Sequence, residues 1–168
     1  MNLKPIHFLF TAGLFILIAC RPDSQQKTDK GTLGADSSLG YLVADTITYD
    51  VVIRNPDPED LWRAQCLQGL DRQAFIDNIF NMLYEEKAIA YHFETREKIT
   101  PAQLKNLESD GFKRDNIGMI QFTETWYLDP QQNQMTKKVL FMVLGYDYYT
   151  SEGELFGHKP LFRVELSQ

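Results

Sequence analysis

Cysteine and histidine are scarce in this chain: two cysteines, Cys20 and Cys66, and three histidines. Two cysteines do not make the framework of a disulfide-stapled domain. Beyond the first 20 residues only His92 and His158 remain, far apart and without Cys or carboxylate neighbours at metal-ligand spacing. A zinc site needs three or four such ligands, so no metal is expected. There is no G-x-S-x-G, no P-loop and no H-E-x-x-H. The stretch Gly153 to Gly157 is too sparse in glycine for a phosphate cradle and reads as a turn. Basic residues are outnumbered, with 17 Lys and Arg against 23 Asp and Glu, for a formal charge of −6. Phosphate contacts need a basic surface, so no nucleic-acid partner is expected. Long apolar runs are also missing. The longest uncharged stretch, Pro5 to Ala19, is short of the roughly 20 residues of a spanning helix.

That short run carries the most informative signal. Lys4 supplies a positive start, Pro5 to Ala19 an apolar centre, and Leu17-Ile18-Ala19 precede Cys20. This is the tripartite build of a secretory leader. It looks like a bacterial lipoprotein signal over residues 1–19, cut before Cys20, which then carries acyl chains. The covalent lipid on Cys20 is the only cofactor-like group expected. It makes the protein anchored to a membrane rather than spanning one. Loss of Lys4 with the leader takes the charge from −6 to −7, which gives no help in binding anionic headgroups. Cys66 is then alone, and its apolar neighbours read as those of a small buried hydrophobe.

The rest of the chain, 43% hydrophobic overall, has a globular balance. Residues 20–45 are rich in Ser, Gln, Asp, Lys, Thr and Gly and read as a flexible lipidated tether. Residues 46–168 read as a single α+β domain, a small antiparallel sheet with a C-terminal meander packed against two or three helices. Ile47 to Arg54 alternates as a short strand, stopped by Asn55-Pro56-Asp57-Pro58. Glu59 to Cys66 reads as a brief helix with Leu61 and Trp62 inward. Asp71 to Lys87 is the strongest helix, with Phe75, Ile79 and Leu83 stepping by four and Asp71 as N-cap. Glu85 and Glu86 sit where a helix dipole disfavours acid. Ala88 to Phe93 reads as a strand. Thr100-Pro101-Ala102-Gln103 carries a capping box, and Gly111 ends that helix. Ile120, Phe122, Trp126 and Leu128 share one face of a strand, and Asp129 to Gln134 turns. Val139 to Leu144 is apolar enough for a central strand buried on both faces. Ser151 to Gly157 reads as a loop before a last strand, Leu161 to Leu166.

Glu124 breaks the pattern, because it falls on the face of Phe122 and Trp126. An inward acid has a raised pKa unless it is paired. It reads either as a general acid or base or as a member of an ion pair or an edge position. Aromatics crowd the second half, and the adjacent Tyr148 and Tyr149 point to opposite faces of a strand. An exposed tyrosine suits an interface.

Several segments together resemble the GldN/PorN family, components of the type IX secretion and gliding apparatus of Bacteroidetes. Asp71-Arg72-Gln73-Ala74-Phe75-Ile76 through Glu85-Glu86-Lys87-Ala88-Ile89-Ala90-Tyr91 is similar to its helix-then-"TAY" segment. Ile99-Thr100-Pro101-Ala102-Gln103 is similar to its next helix start, and Glu124-Thr125-Trp126-Tyr127-Leu128-Asp129 to its "E-D-W-F-F-D" arm. Val139 to Gly145 resembles the paired strand. The most specific part is Gly153 to Phe162, which resembles the ending "G-E-x-x-G-Y-x-P-L-F". The likeness covers roughly residues 47–166. It implies a non-enzymatic protein of a large periplasmic ring that assembles with a lipoprotein partner. The chain departs from the family by carrying its own lipidation signal. It also departs in having only Asp60-Leu61-Trp62-Arg63 where the family has a longer Trp- and Arg-rich segment. The departures fit a divergent lipoprotein member.

The expectation is therefore an outer-membrane protein, lipid-anchored on the periplasmic face. It would act through contacts with membrane or periplasmic proteins, possible type IX secretion ring components among them. Candidate interaction residues are Glu124, Trp126, Tyr148, Tyr149, Gly153, Gly157, Pro160 and Phe162. The alternative is a periplasmic lipoprotein binding a small apolar or glycan ligand in an aromatic-lined cleft. A hydrolase built on Glu124 would need a second catalytic group that the sequence does not name.

Overall fold

The computed structural model describes residues 39–166. The expected leader, Cys20 and residues 20–38 of the expected tether lie outside them. The fold is α+β: three helices and one antiparallel six-stranded sheet. In chain order the elements are β1 (Tyr41–Val52), α1 (Leu61–Leu67), α2 (Arg72–Tyr84), β2 (Ala88–His92), β3 (Lys98–Ile99), α3 (Pro101–Ser109), β4 (Ile117–Asp129), β5 (Gln134–Tyr149) and β6 (Leu155–Leu166). The sheet order is β1-β4-β5-β6-β2-β3. The meander expected at the C-terminus is its centre.

Residues 41–45, expected in the tether, belong to β1. The strand was hard to read because it is an edge. Its polar Asp45 and Thr46 interrupt the alternation, the pairing slips between Leu42 and Ile47, and Thr46 takes a positive φ of 56°. An edge strand tolerates such a bulge, which also blunts its unpaired side. β6 begins at Leu155, inside the expected loop, and β3 adds two residues that the pattern did not mark.

Local chemistry sets the helix ends. Asp71 accepts from the Ala74 amide at 2.9 Å, which satisfies an orphan donor of α2. Leu83 and Met82 accept from the Glu86 and Lys87 amides, and Glu86 takes φ 56°. This left-handed cap ends α2 at Tyr84, so both glutamates lie beyond the helix rather than in its last turn. Gly111, at φ 100°, makes the same closure after α3, where no Cβ opposes it. Thr100 starts α3 with both halves of a capping box, its amide donating to Gln103 Oε1 at 2.8 Å and Gln103 donating back to Thr100 Oγ1. Thr100→Ala is expected to lower stability by about 1 kcal/mol. Urea unfolding should show a lower midpoint at unchanged slope. An unchanged midpoint would show that packing alone holds α3.

The core lies between one sheet face and the helices. α2 contributes Ile76, Ile79, Phe80 and Leu83. The sheet contributes Ile120, Met142, Leu144, Phe162 and Val164, cross-strand neighbours on that face. Ala88 and Ala90 of β2 are small where α2 comes closest. The central strand β5 is buried from Met142 to Gly145, so both of its faces are covered there, as its apolar run predicted; Val139 to Phe141, the start of that run, are only half-buried.

β6 pairs with β5 from Phe141 onward, whereas β4 pairs with β5 back to Gln134. The first part of β5, the second part of β4 and the start of β1 therefore form a three-stranded arm. None of the buried hydrophobic residues lies on it. By alternation Ile120, Phe122, Glu124, Trp126 and Leu128 do share a face, as expected. The face changes character along its length, from Ile120 at 0% exposure to Leu128 at 42%. Leu128 points to solvent because the helices cover the centre of the sheet and the arm extends past them.

Candidate interaction surface

The two ends of β5 lie about 40 Å apart along the strand, at ~3.3 Å per residue. Met135 marks one end and Tyr148 the other. The far end gathers most of the expected interaction residues. Tyr148 packs edge-to-face on Phe156, with ring centroids 5.8 Å apart, and Lys159 Nζ sits 3.6 Å from the centre of the Tyr148 ring. Both tyrosines are exposed, as is Phe156 at 74%. Pro160 is exposed, and Gly153 takes φ 87° in the turn that joins β5 to β6. At Gly157 a Cβ would meet nothing within 4 Å, so open space rather than close packing surrounds it.

Three expectations are corrected by burial. Phe162 is a core residue, 1% exposed and edge-to-face with Phe80 at 5.8 Å, so it offers no contact surface. Cys66 is exposed rather than a buried hydrophobe. Leu61 and Trp62, expected inward, are 77% and 75% exposed. Asp60 caps α1 by accepting from Arg63 N, but the seven-residue helix buries no side chain. It is too short to pack both of its faces. It follows the end of β1 that lies far from the arm tip. Trp62 is thus a functional candidate that the sequence reading placed on the wrong side.

Glu124 is buried, 4% exposed, at the root of the arm. Its Oε2 accepts from Tyr49 Oη at 2.9 Å and from Trp126 Nε1 at 2.8 Å, both neutral donors. Burial, and then the Glu124 carboxylate, push the Tyr49 phenol above its ordinary value. Tyr49 stands edge-on to Trp126 at 6.2 Å, and Lys137 Nζ lies 4.4 Å from the Trp126 ring centre. Buried Glu124 and half-buried Trp126 satisfy each other's polar groups on β4, and Tyr49 and Lys137 link them to β1 and β5. Glu124 positions the aromatic rings at the base of the arm.

The opposite sheet face holds a polar cluster that the sequence reading did not pick out. Asp147 is buried and pairs across the strands with His158. Its Oδ2 accepts from Arg54 Nη1 at 2.9 Å and from Tyr149 Oη at 3.1 Å. His158 Nε2 lies 3.2 Å from Oδ1, a distance that fits an ion pair, but without hydrogen-bond geometry. Burial and the charge of Asp147 raise the Tyr149 phenol above its ordinary value. The carboxylate occupies the space of a missing side chain at Gly118, where a Cβ would stand 1.7 Å from Oδ1. The available signal was a glycine inside a strand, which often marks such a close approach. Beside this cluster runs an open groove of about 350 Å³, lined by Asp50, Phe93, Met119, Gln121, Val143, His158 and Pro160.

No three His, Cys, Asp or Glu side chains among the described residues converge as a metal site. No helix among them is long and apolar enough to cross a membrane. The chain matches no protein-family model and no curated protein.

Proposed function

We propose that this protein works by contact with other proteins while held at a membrane. In this reading it is a divergent, lipid-anchored relative of the GldN/PorN components, on the periplasmic face of the outer membrane, serving type IX secretion and gliding. The observation that carries the contact role is the aromatic end of the sheet. Tyr148 and Phe156 expose edge-to-face rings beside Lys159, at the end of β5 opposite the arm tip. Exposed Trp62 adds a residue type that anchors many interfaces. The segment bearing Trp62 stands where the resembled family carries its longer Trp- and Arg-rich stretch. An acyl anchor at Cys20 raises the local concentration of the domain for a partner at the same membrane.

The test is crosslinked affinity purification of the lipidated protein from native membranes, with mass spectrometry. Type IX secretion ring or motor components should be recovered. The double substitution Trp62→Ala and Tyr148→Ala should lower that recovery about thirtyfold or more, since even one hot-spot truncation costs about 2 kcal/mol. Both residues are exposed, so the melting temperature should hold. Recovery of the protein alone, as a monomer, sinks the ring reading.

A second reading rests on the groove beside His158. Its lining mixes apolar Met119, Val143 and Phe93 with polar Gln121 and Asp50, a composition that suits a small ligand. Phe93 is its only phenyl ring, which favours an apolar or mixed ligand over a stacked glycan.

A further inference from the structure

The chain outside the described residues enters the fold at one particular place. Residue 39 leads through Gly40 into Tyr41, at the tip of the arm. Gly40 has φ 97°, and a Cβ there would stand 2.5 Å from the Leu128 carbonyl oxygen. The entering strand is therefore pressed against β4 at the tip. Tyr41 pairs with Leu128, and Leu128 pairs with Met135. Directly opposed residues share a face, so the three make one continuous row across the arm. All three are exposed, as is Val43 at the neighbouring bulge. No part of the helical layer reaches them.

We infer that this arm tip rests in the surface of the lipid bilayer, as a second attachment beside the acyl chains. The inference depends on the lipidated reading of Cys20 given above. Nineteen residues lie between Cys20 and Gly40. A chain of that length reaches at most about 70 Å when fully extended. The tip is the end of the fold that the anchored chain joins, which keeps it at high effective concentration beside the membrane. Its chemistry suits the interfacial zone, where a tyrosine, two aliphatic side chains and a methionine enter and the polar tip of tyrosine stays wet. Lys137 holds its ammonium 4.4 Å from the centre of the Trp126 ring, so the arm carries one cation that can face headgroup phosphates. Four half-exposed apolar side chains favour the bilayer by about 100-fold, too weakly to hold a free protein but enough to orient a tethered one. The aromatic end of β5 then faces away from the membrane.

The two tryptophans make this measurable, because Trp126 lies two residues from Leu128 and Trp62 lies beyond the other end of β1. The full-length lipidated Trp62→Phe protein is reconstituted in vesicles of phosphatidylethanolamine and phosphatidylglycerol, 3:1 by design, with brominated acyl chains as quencher. Acylation of Cys20 is read by mass spectrometry on the same sample. Trp126 fluorescence should be quenched at least twofold relative to unbrominated vesicles. Adding Leu128→Ser and Met135→Ser should abolish the quenching while the amount of vesicle-bound protein is unchanged. Acylated, vesicle-bound protein with unquenched Trp126 overturns the inference and leaves the row free for a protein contact. An unmodified Cys20 overturns the lipoprotein reading, and the inference with it, and the mass spectrum tells the two failures apart.

Discussion

Arg114→Met is expected to destabilise the domain by about 2–3 kcal/mol near neutral pH, and by much less near pH 3. Arg114 packs against α2 and α3 and is largely covered. Its Nη1 donates to Asp77 Oδ1 at 2.8 Å, Nε donates to Glu108 Oε1 at 2.5 Å, and the guanidinium stacks 4.4 Å from the centre of the Phe80 ring. Tyr84 Oη donates to Glu108 Oε2. One side chain thus ties α2, α3 and the 3-10 turn at Arg114–Asn116 together. Hydrogen bonding to Glu108 first, and to Asp77, holds the guanidinium above its ordinary value. The same contact with Arg114 holds Glu108 below its ordinary 4.5. Asp77 is held low by Gln73 first and then by Arg114. The sign follows from these directions. A carboxylate whose folded value is depressed contributes stability above its unfolded value, and that contribution is lost as pH falls through the folded value. The wild type should therefore lose stability on acidification below about pH 4.5, while Arg114→Met should show a flatter profile there. Tyr84 is raised, by burial first and then by Glu108, so its contribution is complete below pH 10 and fades as pH rises further. Urea titrations of both proteins at pH 3, 5, 7 and 9 check this. An equal loss at pH 3 and pH 7 would place the effect in packing over Phe80 rather than in charge.

Gly118→Ala should cost about 3 kcal/mol for a single added methyl group. Gly118 has no positive φ, so the cost is not backbone strain. The new Cβ would stand 1.7 Å from Asp147 Oδ1 and 2.6 Å from its Cγ. Asp147 cannot yield easily, because Arg54, Tyr149 and His158 hold its carboxylate. Driving it aside breaks those contacts and leaves buried charge unpaired. Asp147→Ala should itself be costly, since Arg54 and Tyr149 lose their acceptor. The double variant Gly118→Ala/Asp147→Ala should nevertheless be less damaged than the sum of the singles, because the collision disappears with the carboxylate. A double-mutant cycle in urea reads this directly. Strict additivity would mean that Gly118 serves some purpose other than making room for Asp147.

Much of the fold was legible because its signals are local. Thr100-Pro101-Ala102-Gln103 caps a helix wherever it is placed, and Asp71 before an apolar stripe does the same. The apolar run from Val139 marked the central strand because a strand covered on both faces has no polar alternation. The functional surface was less legible, because exposure depends on what else is nearby. Leu61, Trp62 and Leu128 carry the residue types of a core but are exposed, the first two on a short helix that buries no side chain and the third on the arm. Phe162 was expected to offer a contact, yet it fills the core against Phe80. The Asp147 cluster joins Arg54, Gly118 and His158 across more than 100 residues of sequence, so no local pattern announces it.

The sequence by itself determined the elements whose causes lie within a few residues: the caps and the stripe of α2, the start and stop of α3, and the buried centre of the sheet. Its composition and its short leader-like run also framed the membrane-tethered reading, because charge balance and segment length do not depend on folding. Tertiary structure decided which apolar side chains became core and which became surface. It set β1 as the edge, extended the arm past the helices and brought Glu124 between Tyr49 and Trp126. Burial is a property of neighbours, and the neighbour that covers Glu124, Tyr49 of the edge strand, lies 75 residues away in the chain.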